Sequence, residues 1–308
     1  MSMRKILYSW TVTGFAFGYI LLTAGIIVLF SHATPVKGSY NNGYYSMTPG
    51  IIFSRNNTKI ISSASPQVHE SDSNYQINIP QSKLNSEYCL YVPVLMYHHI
   101  QPYNLAKERG QTSLTVDSVI FDQQMAYLVS QGYVSISADE LANALKTHSA
   151  LPAKPVVITM DDGYKDNFEY AFPIIQKYGL IANIMIPTGL IENFGWLNWN
   201  DLKTMVNSGR FYAYDHTWSH AALAGVSNDK IETEIMMAKQ QLEDHLGKPV
   251  SIFAYPYGSK DSRVISALIG DGFSAAFSTI PGKIQCDSFI MTLHRTRIGN
   301  GALASYGL

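Results

Sequence analysis

The sequence predicts an α/β protein built on a parallel sheet and carried behind an N-terminal membrane segment and a flexible stalk. Three observations lead there. Strand-like and helix-like stretches alternate from Tyr91 almost to the C-terminus, which calls for a parallel sheet, open or closed into a barrel. No charge interrupts residues 10–30, a run long enough to span a bilayer. Between the two, over residues 32–87, Gly, Ser and Asn dominate and no helical or strand period persists, as in chains that bury too little apolar surface to fold.

Arg4 and Lys5 precede the apolar run and predict a cytoplasmic N-terminus. Ser31-His32-Ala33 carries the small residues of a signal-peptidase site, so a cleaved secretory signal is the alternative, although the run is long for one. Either way the remainder is exported. Residues 1–31 are read as anchor or signal, 32–88 as stalk and 89–308 as the folded domain. Within the stalk, Gly50-Ile51-Ile52-Phe53 and Tyr75-Gln76-Ile77-Asn78-Ile79 are candidate short strands.

In the domain, residues 92–97 read as a strand. A helix follows over 118–130, with Phe121, Met125, Leu128 and Val129 on one face and Gly132 as its stop. Residues 133–136 read as a strand, and Ser137 with Glu140 as a capping box for a helix through Leu141 and Leu145. The strand 156–159 comes next, then a helix over 170–177 that tolerates Pro173 only in its first turn. A strand at 182–186 leads to a helix capped by Asn198 that runs through Leu202, Met205 and Val206. After a strand at 211–215, a helix from Asn228 places Ile231, Ile235, Ala238, Leu242 and Leu246 on one stripe, with Gly247 past its end. Strands at 251–254, 274–277 and 296–298 and a helix at 262–269 complete the series.

Composition narrows the function. A net charge of −1 with 15% charged residues gives no nucleic-acid footprint. Twenty tyrosines suit a carbohydrate-facing surface. Two cysteines are too few for a disulfide scaffold and lack metal-site spacing.

Three stretches carry the chemistry, each at a strand end, where parallel sheets place function. Val156-Val157-Ile158-Thr159-Met160-Asp161-Asp162-Gly163-Tyr164 runs a buried strand into two adjacent carboxylates and a glycine. A solvated turn is the plain alternative, because burying two carboxylates costs several kcal/mol unless a cation or hydrogen bonds offset it. His216-Thr217-Trp218-Ser219-His220 puts two histidines four apart, on one face of a helical turn. Alone that is a weak signal, but together with an aspartate at the same rim it makes a three-ligand metal site with an open position. Phe253-Ala254-Tyr255-Pro256-Tyr257-Gly258 is a stiff aromatic loop able to fix a backbone N–H toward an oxyanion.

In this order and spacing, Thr159–Tyr164, His216–His220 and Tyr255–Gly258 resemble the polysaccharide deacetylases of carbohydrate esterase family 4, a likeness reaching from about Val92 to Ile298. Pro93-Val94-Leu95-Met96-Tyr97-His98-His99-Ile100 resembles the poly-N-acetylglucosamine deacetylases of biofilm matrices in particular. The resemblance implies a distorted (β/α) barrel, often seven-stranded, and makes 89–308 the catalytic domain. It implies Asp161 as general base, with Asp162, His216 and His220 as ligands of a divalent metal. The Tyr257 N–H would serve the oxyanion, and His98, Tyr255, Pro256 and Trp218 would meet substrate. Zinc suits these ligands best, with nickel, cobalt or iron as chemical alternatives.

Two departures stand out. The family often begins its third motif with an arginine that orients the base, and Ala254 holds that position here. The family's general acid is a histidine in a Leu-x-His arrangement, whereas Thr292-Leu293-His294-Arg295 is one residue out of step, so His294 is a weak candidate. His98 and His99 point to opposite faces of a strand, and at most one should face the site. Cys89 and Cys286 lie in regions that a barrel can bring together, and export permits a disulfide. The expected function is N-deacetylation of an N-acetylglucosamine polymer of the surface or matrix, with the membrane and the polysaccharide synthesis and export machinery as partners. Peptidoglycan, chitin oligomers or an O-acetylated glycan are alternative substrates, and a catalytically weak glycan-binding domain is the alternative class.

Overall fold

The structure is a computed structural model that describes residues 87–308. The anchor, the stalk up to residue 86 and its two candidate strands lie outside the described residues. Among the described residues no helix is long and apolar enough to cross a membrane.

The chain enters through β1 (Cys89–Tyr91), β2 (Val94–Tyr97) and β3 (His99–Gln101), followed by a short helix α1 (Tyr103–Glu108), β4 (Thr115–Asp117) and α2 (Ser118–Ser130). Next come β5 (Val134–Ser135), α3 (Ala138–Thr147), β6 (Pro155–Met160), α4 (Phe172–Tyr178), β7 (Ala182–Ile186), α5 (Trp199–Asn207) and β8 (Phe211–Asp215). The last part holds α6 (Asn228–Leu246), β9 (Ile252–Ala254), α7 (Ser262–Gly270), β10 (Ala275–Phe277), β11 (Ile284–Cys286) and β12 (Thr296–Arg297). Seven strands run in the order β10-β9-β8-β7-β6-β2-β12, with β5 added beside the start of β6, and every pairing along this path is parallel.

This sheet curls into a half-barrel rather than a fully laddered barrel. Its end strands β10 and β12 do not pair, but the run-in to β12 makes an isolated bridge from Leu293 to Phe277. The seam is thus held by single residues, and it delivers Arg295, whose N–H donates to Ile280 O at 2.9 Å.

Side-chain alternation on β6 explains the layers. Val156, Ile158 and Met160 face the main core, with Phe121, Met125 and Leu128 of α2 and Ile231, Ile235 and Leu242 of α6. Val157 faces a second cluster inside the curl, where Leu141 and Leu145 of α3 pack with Met185, Tyr214 and Phe277. Asp161 follows at the carboxyl edge.

Helix boundaries follow their caps. Ser137 and Glu140 form the capping box of α3, and Asn198 and Asp201 form that of α5. Pro173 sits in the first turn of α4, which grows out of a π-turn at Asn167–Ala171. Val129, placed by periodicity on the buried face of α2, is exposed. Cys89 and Cys286 are directly opposed in the antiparallel β1–β11 ribbon and joined by a disulfide.

Candidate active site

Asp161 and Asp162 share a strand end yet occupy different surroundings. Asp161 continues the extended strand, its N–H donating to Tyr97 O at 2.9 Å. Asp162 and Gly163 both turn left-handed, at φ 73° and 64°. A non-glycine residue in that region is strained, and at Asp162 the strain swings the second carboxylate away from the first. A Cβ on Gly163 would come within 3.0 Å of Ile186 Cδ1.

Asp161 is buried, and the fully buried Arg295 holds it in a fork: Nη1 donates to Oδ1 at 2.6 Å and Nη2 to Oδ2 at 2.8 Å. Arg295 Nε donates to Ser278 O at 2.9 Å, so the guanidinium is itself aimed. Burial raises the Asp161 pKa, but the Arg295 guanidinium and then His216 and His98 outweigh it and leave the carboxyl below its ordinary value. The orienting arginine therefore exists. It comes from the seam before β12 instead of from Ala254, whose carbonyl accepts from the His216 ring. Arg295 is hidden in the sequence because Leu293-His294-Arg295-Thr296-Arg297 offers two arginines beside a histidine, and nothing local marks which of them turns inward.

Asp162, His216 and His220 converge so that a ligand atom from each lies within 4.8 Å of the others. Asp162 Oδ1 is 3.4 Å from His216 Nε2 and 3.0 Å from His220 Nε2, and it is buried with no hydrogen-bond partner. His216 Nδ1 lies 2.7 Å from Ala254 O, which keeps the proton on Nδ1 and turns the Nε2 lone pair toward Asp162. An orphaned carboxylate oxygen facing two imidazoles is a donor set that fits a divalent cation.

The His-x-x-x-His stretch is not a helical turn, which corrects the sequence expectation. Residues 216–223 form an irregular loop in which Thr217 and His220 are left-handed, at φ 66° and 59°. Helix α6 holds this shape through Glu234. Its carboxylate accepts from Ser219 N at 2.7 Å and Ser219 Oγ at 2.6 Å, its carbonyl accepts from Trp218 N at 2.8 Å, and Lys230 pairs with it at 2.5 Å. Asp215 Oδ1 accepts from Thr217 N at 2.7 Å, and Thr217 Oγ1 from Ala221 N at 3.0 Å. Glu234 escaped sequence reading because on the α6 stripe it looks like an ordinary helix acid.

A cavity of about 540 Å³ opens over these groups and is lined by His98, Asp161, Asp162, Tyr164, His216, His220, Tyr255 and Tyr257 among others. Tyr257 is left-handed at φ 59° with an exposed ring edge-on to His220, 4.7 Å between centroids. The bonds of its turn run from Gly258 N to Tyr255 O and from Ser259 N to Pro256 O, leaving the Tyr257 N–H out of them. Tyr255 is buried, and its hydroxyl donates to Met291 O. His98 faces the cavity, and burial lowers its pKa against the pull of Asp161 and Asp162. His99 points the other way and pairs with Asp166 at 2.5 Å, as strand alternation requires.

Three expected residues sit elsewhere. The His294 ring stacks on Phe289 at 4.6 Å and abuts Gly282, outside the cavity lining. Leu293-His294 lacks the residue that Leu-x-His places between the two, and the ring is turned from the site. Trp218 wedges against Gly189, where a Cβ would come within 2.8 Å of its Nε1. Pro256 is buried beneath the Tyr257 turn.

Fold and site together define the class, an α/β protein with an Asp/His cluster able to hold a divalent metal at the carboxyl edge of a curled parallel sheet. The sequence pattern of the polysaccharide deacetylase family matches residues 148–276. Among solved structures, BC0361, a polysaccharide deacetylase from Bacillus cereus, is 30% identical with a TM-score of 0.62, over 72% of this chain and 68% of that one. The Streptococcus pyogenes deacetylase PplD, solved with acetate, is 27% identical with a TM-score of 0.66, over 71% of this chain and 98% of that one. The Bacillus subtilis protein YxkH is 29% identical over 214 residues, 70% of this chain and 74% of that protein. A poly-β-1,6-N-acetyl-D-glucosamine N-deacetylase of Staphylococcus aureus is 24% identical over 205 residues, 60% of this chain and 70% of that protein. The chain belongs to the polysaccharide deacetylase family.

Proposed function

We propose that this protein is an exported, metal-dependent N-deacetylase acting on an N-acetylglucosamine polymer, with poly-N-acetylglucosamine as the favoured substrate. The observation that carries the reading is the pairing of two unlike carboxylates in one cavity. Asp162 converges with His216 and His220, and Asp161 is held apart by Arg295. The resemblance of Pro93–Ile100 to poly-N-acetylglucosamine deacetylases and the name of the Staphylococcus aureus relative support the polymer. The Cys89–Cys286 disulfide supports export, since such bonds persist in oxidising compartments.

Asp162, His216 and His220 would hold the ion; when bound, it would lower the pKa of a water and polarise the acetyl carbonyl, zinc being the metal these ligands suit best. Asp161, ionised by its arginine, accepts the proton of the attacking water. The Tyr257 N–H meets the carbonyl oxygen as its negative charge develops. His98, the cavity-lining imidazole outside the ligand set, stands where it can relay to the departing amine the proton that Asp161 takes from the water, the role expected of His294. Acetate and a free amine result. The convergence of Asp162, His216 and His220 beside Asp161 also weakens the reading as a mere glycan-binding domain, which needs no such donor set.

Acetate release screened across β-1,6-linked and β-1,4-linked N-acetylglucosamine oligomers, peptidoglycan and O-acetylated glycans, with Zn²⁺ supplied, tests this function. The expected result is highest turnover on the β-1,6 series. Preference for another glycan would reassign the substrate, and silence on all of them would remove the enzyme.

A further inference from the structure

The segment that carries Arg295 is held from two sides. On one side it follows the end of β10: Leu293 N donates to Ala276 O at 2.8 Å, Ser278 N to Leu293 O at 2.8 Å and Arg295 N to Ile280 O at 2.9 Å. His294, between them, sends its main-chain groups to a different partner. Its N–H donates to Gln285 Oε1 at 2.9 Å, and its carbonyl accepts from Gln285 Nε2 at 3.0 Å. Gln285 Nε2 also donates to Val92 O at 3.1 Å. One side-chain amide thus stands in for a neighbouring strand, closing on a single residue as two paired residues of an antiparallel ladder do. Both donors of the amide and its oxygen are engaged.

Gln285 is fully buried in the middle of β11, and its surroundings fix that strand. Leu90 stands opposite it, the next residue, Cys286, is bonded to Cys89, and Val92 N donates to Lys283 O at 2.8 Å. An apolar side chain would fill this place without the cost of burying an amide. What the amide adds is three hydrogen bonds, two of them to the residue directly before Arg295.

That residue matters through its neighbour. The Arg295 guanidinium meets both oxygens of Asp161 at 2.6 and 2.8 Å, and a two-pronged pair of this kind is geometrically exacting. Misplacing a reacting group by about 1 Å costs on the order of 100-fold in rate. The His294 ring lies outside the cavity, packed on Phe289 and Gly282, so its main chain is the part that reaches the site. We propose that Gln285 is a positioning residue for the reaction: its amide holds the His294 main chain, which sets where Arg295 stands and how Arg295 presents Asp161. The inference rests on the proposed deacetylase and adds a residue that lies outside both the cavity lining and the Asp162, His216 and His220 cluster.

A double-mutant cycle tests it. Gln285→Met keeps the length of the side chain and removes all three bonds. Wild type, Gln285→Met, Arg295→Lys and the double variant are loaded with Zn²⁺ and compared on the N-acetylglucosamine oligomer that wild type turns over fastest. Gln285→Met is expected to lower kcat roughly tenfold or more, with KM and Zn²⁺ affinity in chelator competition unchanged. Once Arg295 is already lysine, the same substitution should change kcat little. An equal fall in both backgrounds, or full kcat in Gln285→Met, would overturn the proposal. Gln285→Glu keeps the shape and the acceptor for the His294 N–H, and it is read the same way if the Met protein does not fold. Failure of both to fold would make Gln285 a folding residue and overturn the proposal as well. A wild type that releases no acetate removes the deacetylase instead. The same cycle in denaturant midpoints then decides whether Gln285 holds Arg295: coupled losses sustain the positioning, and additive ones end it.

Discussion

Asp161 and Asp162 are neighbours with unlike surroundings, and backbone conformation separates them. The first ends an extended strand against Arg295, and the second is thrown into a left-handed turn toward two imidazoles. Removing Arg295 leaves a buried carboxylate without its partner, which costs about 3–5 kcal/mol. Arg295→Ala is therefore expected to lower the denaturant midpoint sharply. Arg295→Lys keeps the charge but not the two-pronged geometry, so it should recover much of the stability and little of the acetate release. Equal stability of wild type and Arg295→Ala would show that the fork is not structural. His98→Gln, by contrast, should retain metal and fold while turnover falls; unchanged turnover would return the proton-delivery role to another group.

At the scale of the element, the metal-ligand loop depends on helix α6. Two non-glycine left-handed residues need outside support, and Glu234 supplies it through Ser219 and Trp218. Partners one step removed from a metal tune its affinity, typically by 10–100-fold. Glu234→Gln is expected to weaken Zn²⁺ binding by about tenfold in chelator competition, with unchanged far-ultraviolet circular dichroism. Unaltered affinity would make Glu234 a packing residue only. Periodicity makes α2 and α6 legible because each runs long enough to repeat its pattern. The pairs β1–β11 and β3–β4 are three-residue strands and show no period to read. The loop shape at His216–His220 is equally hidden, because nothing local marks Thr217 or His220 as left-handed.

For the whole molecule, the cluster able to hold a metal is legible in the sequence and the arginine is not. Asp162, His216 and His220 each stand at a strand end in a recognisable motif, whereas Arg295 reaches Asp161 across 134 residues through a seam that exists only once the sheet has curled. The Cys89–Cys286 bond closes a still longer loop, of separation 197, and cross-links of this length stabilise by about 5 kcal/mol in the chain-entropy account. Cys89→Ser with Cys286→Ser should lower the melting temperature while leaving the metal cluster able to bind Zn²⁺; an unchanged melting temperature would show that the ribbon contributes little. The central claim is that a metal held by Asp162, His216 and His220 works with Asp161 to release acetate. Acetate release from β-1,6-linked N-acetylglucosamine oligomers, followed before chelation, after it and after Zn²⁺ is restored, tests it most directly. The prediction is loss to background and recovery in the wild type, with Asp161→Asn binding Zn²⁺ yet silent throughout. Release that persists in chelator, or an Asp161→Asn protein as active as wild type, would contradict it.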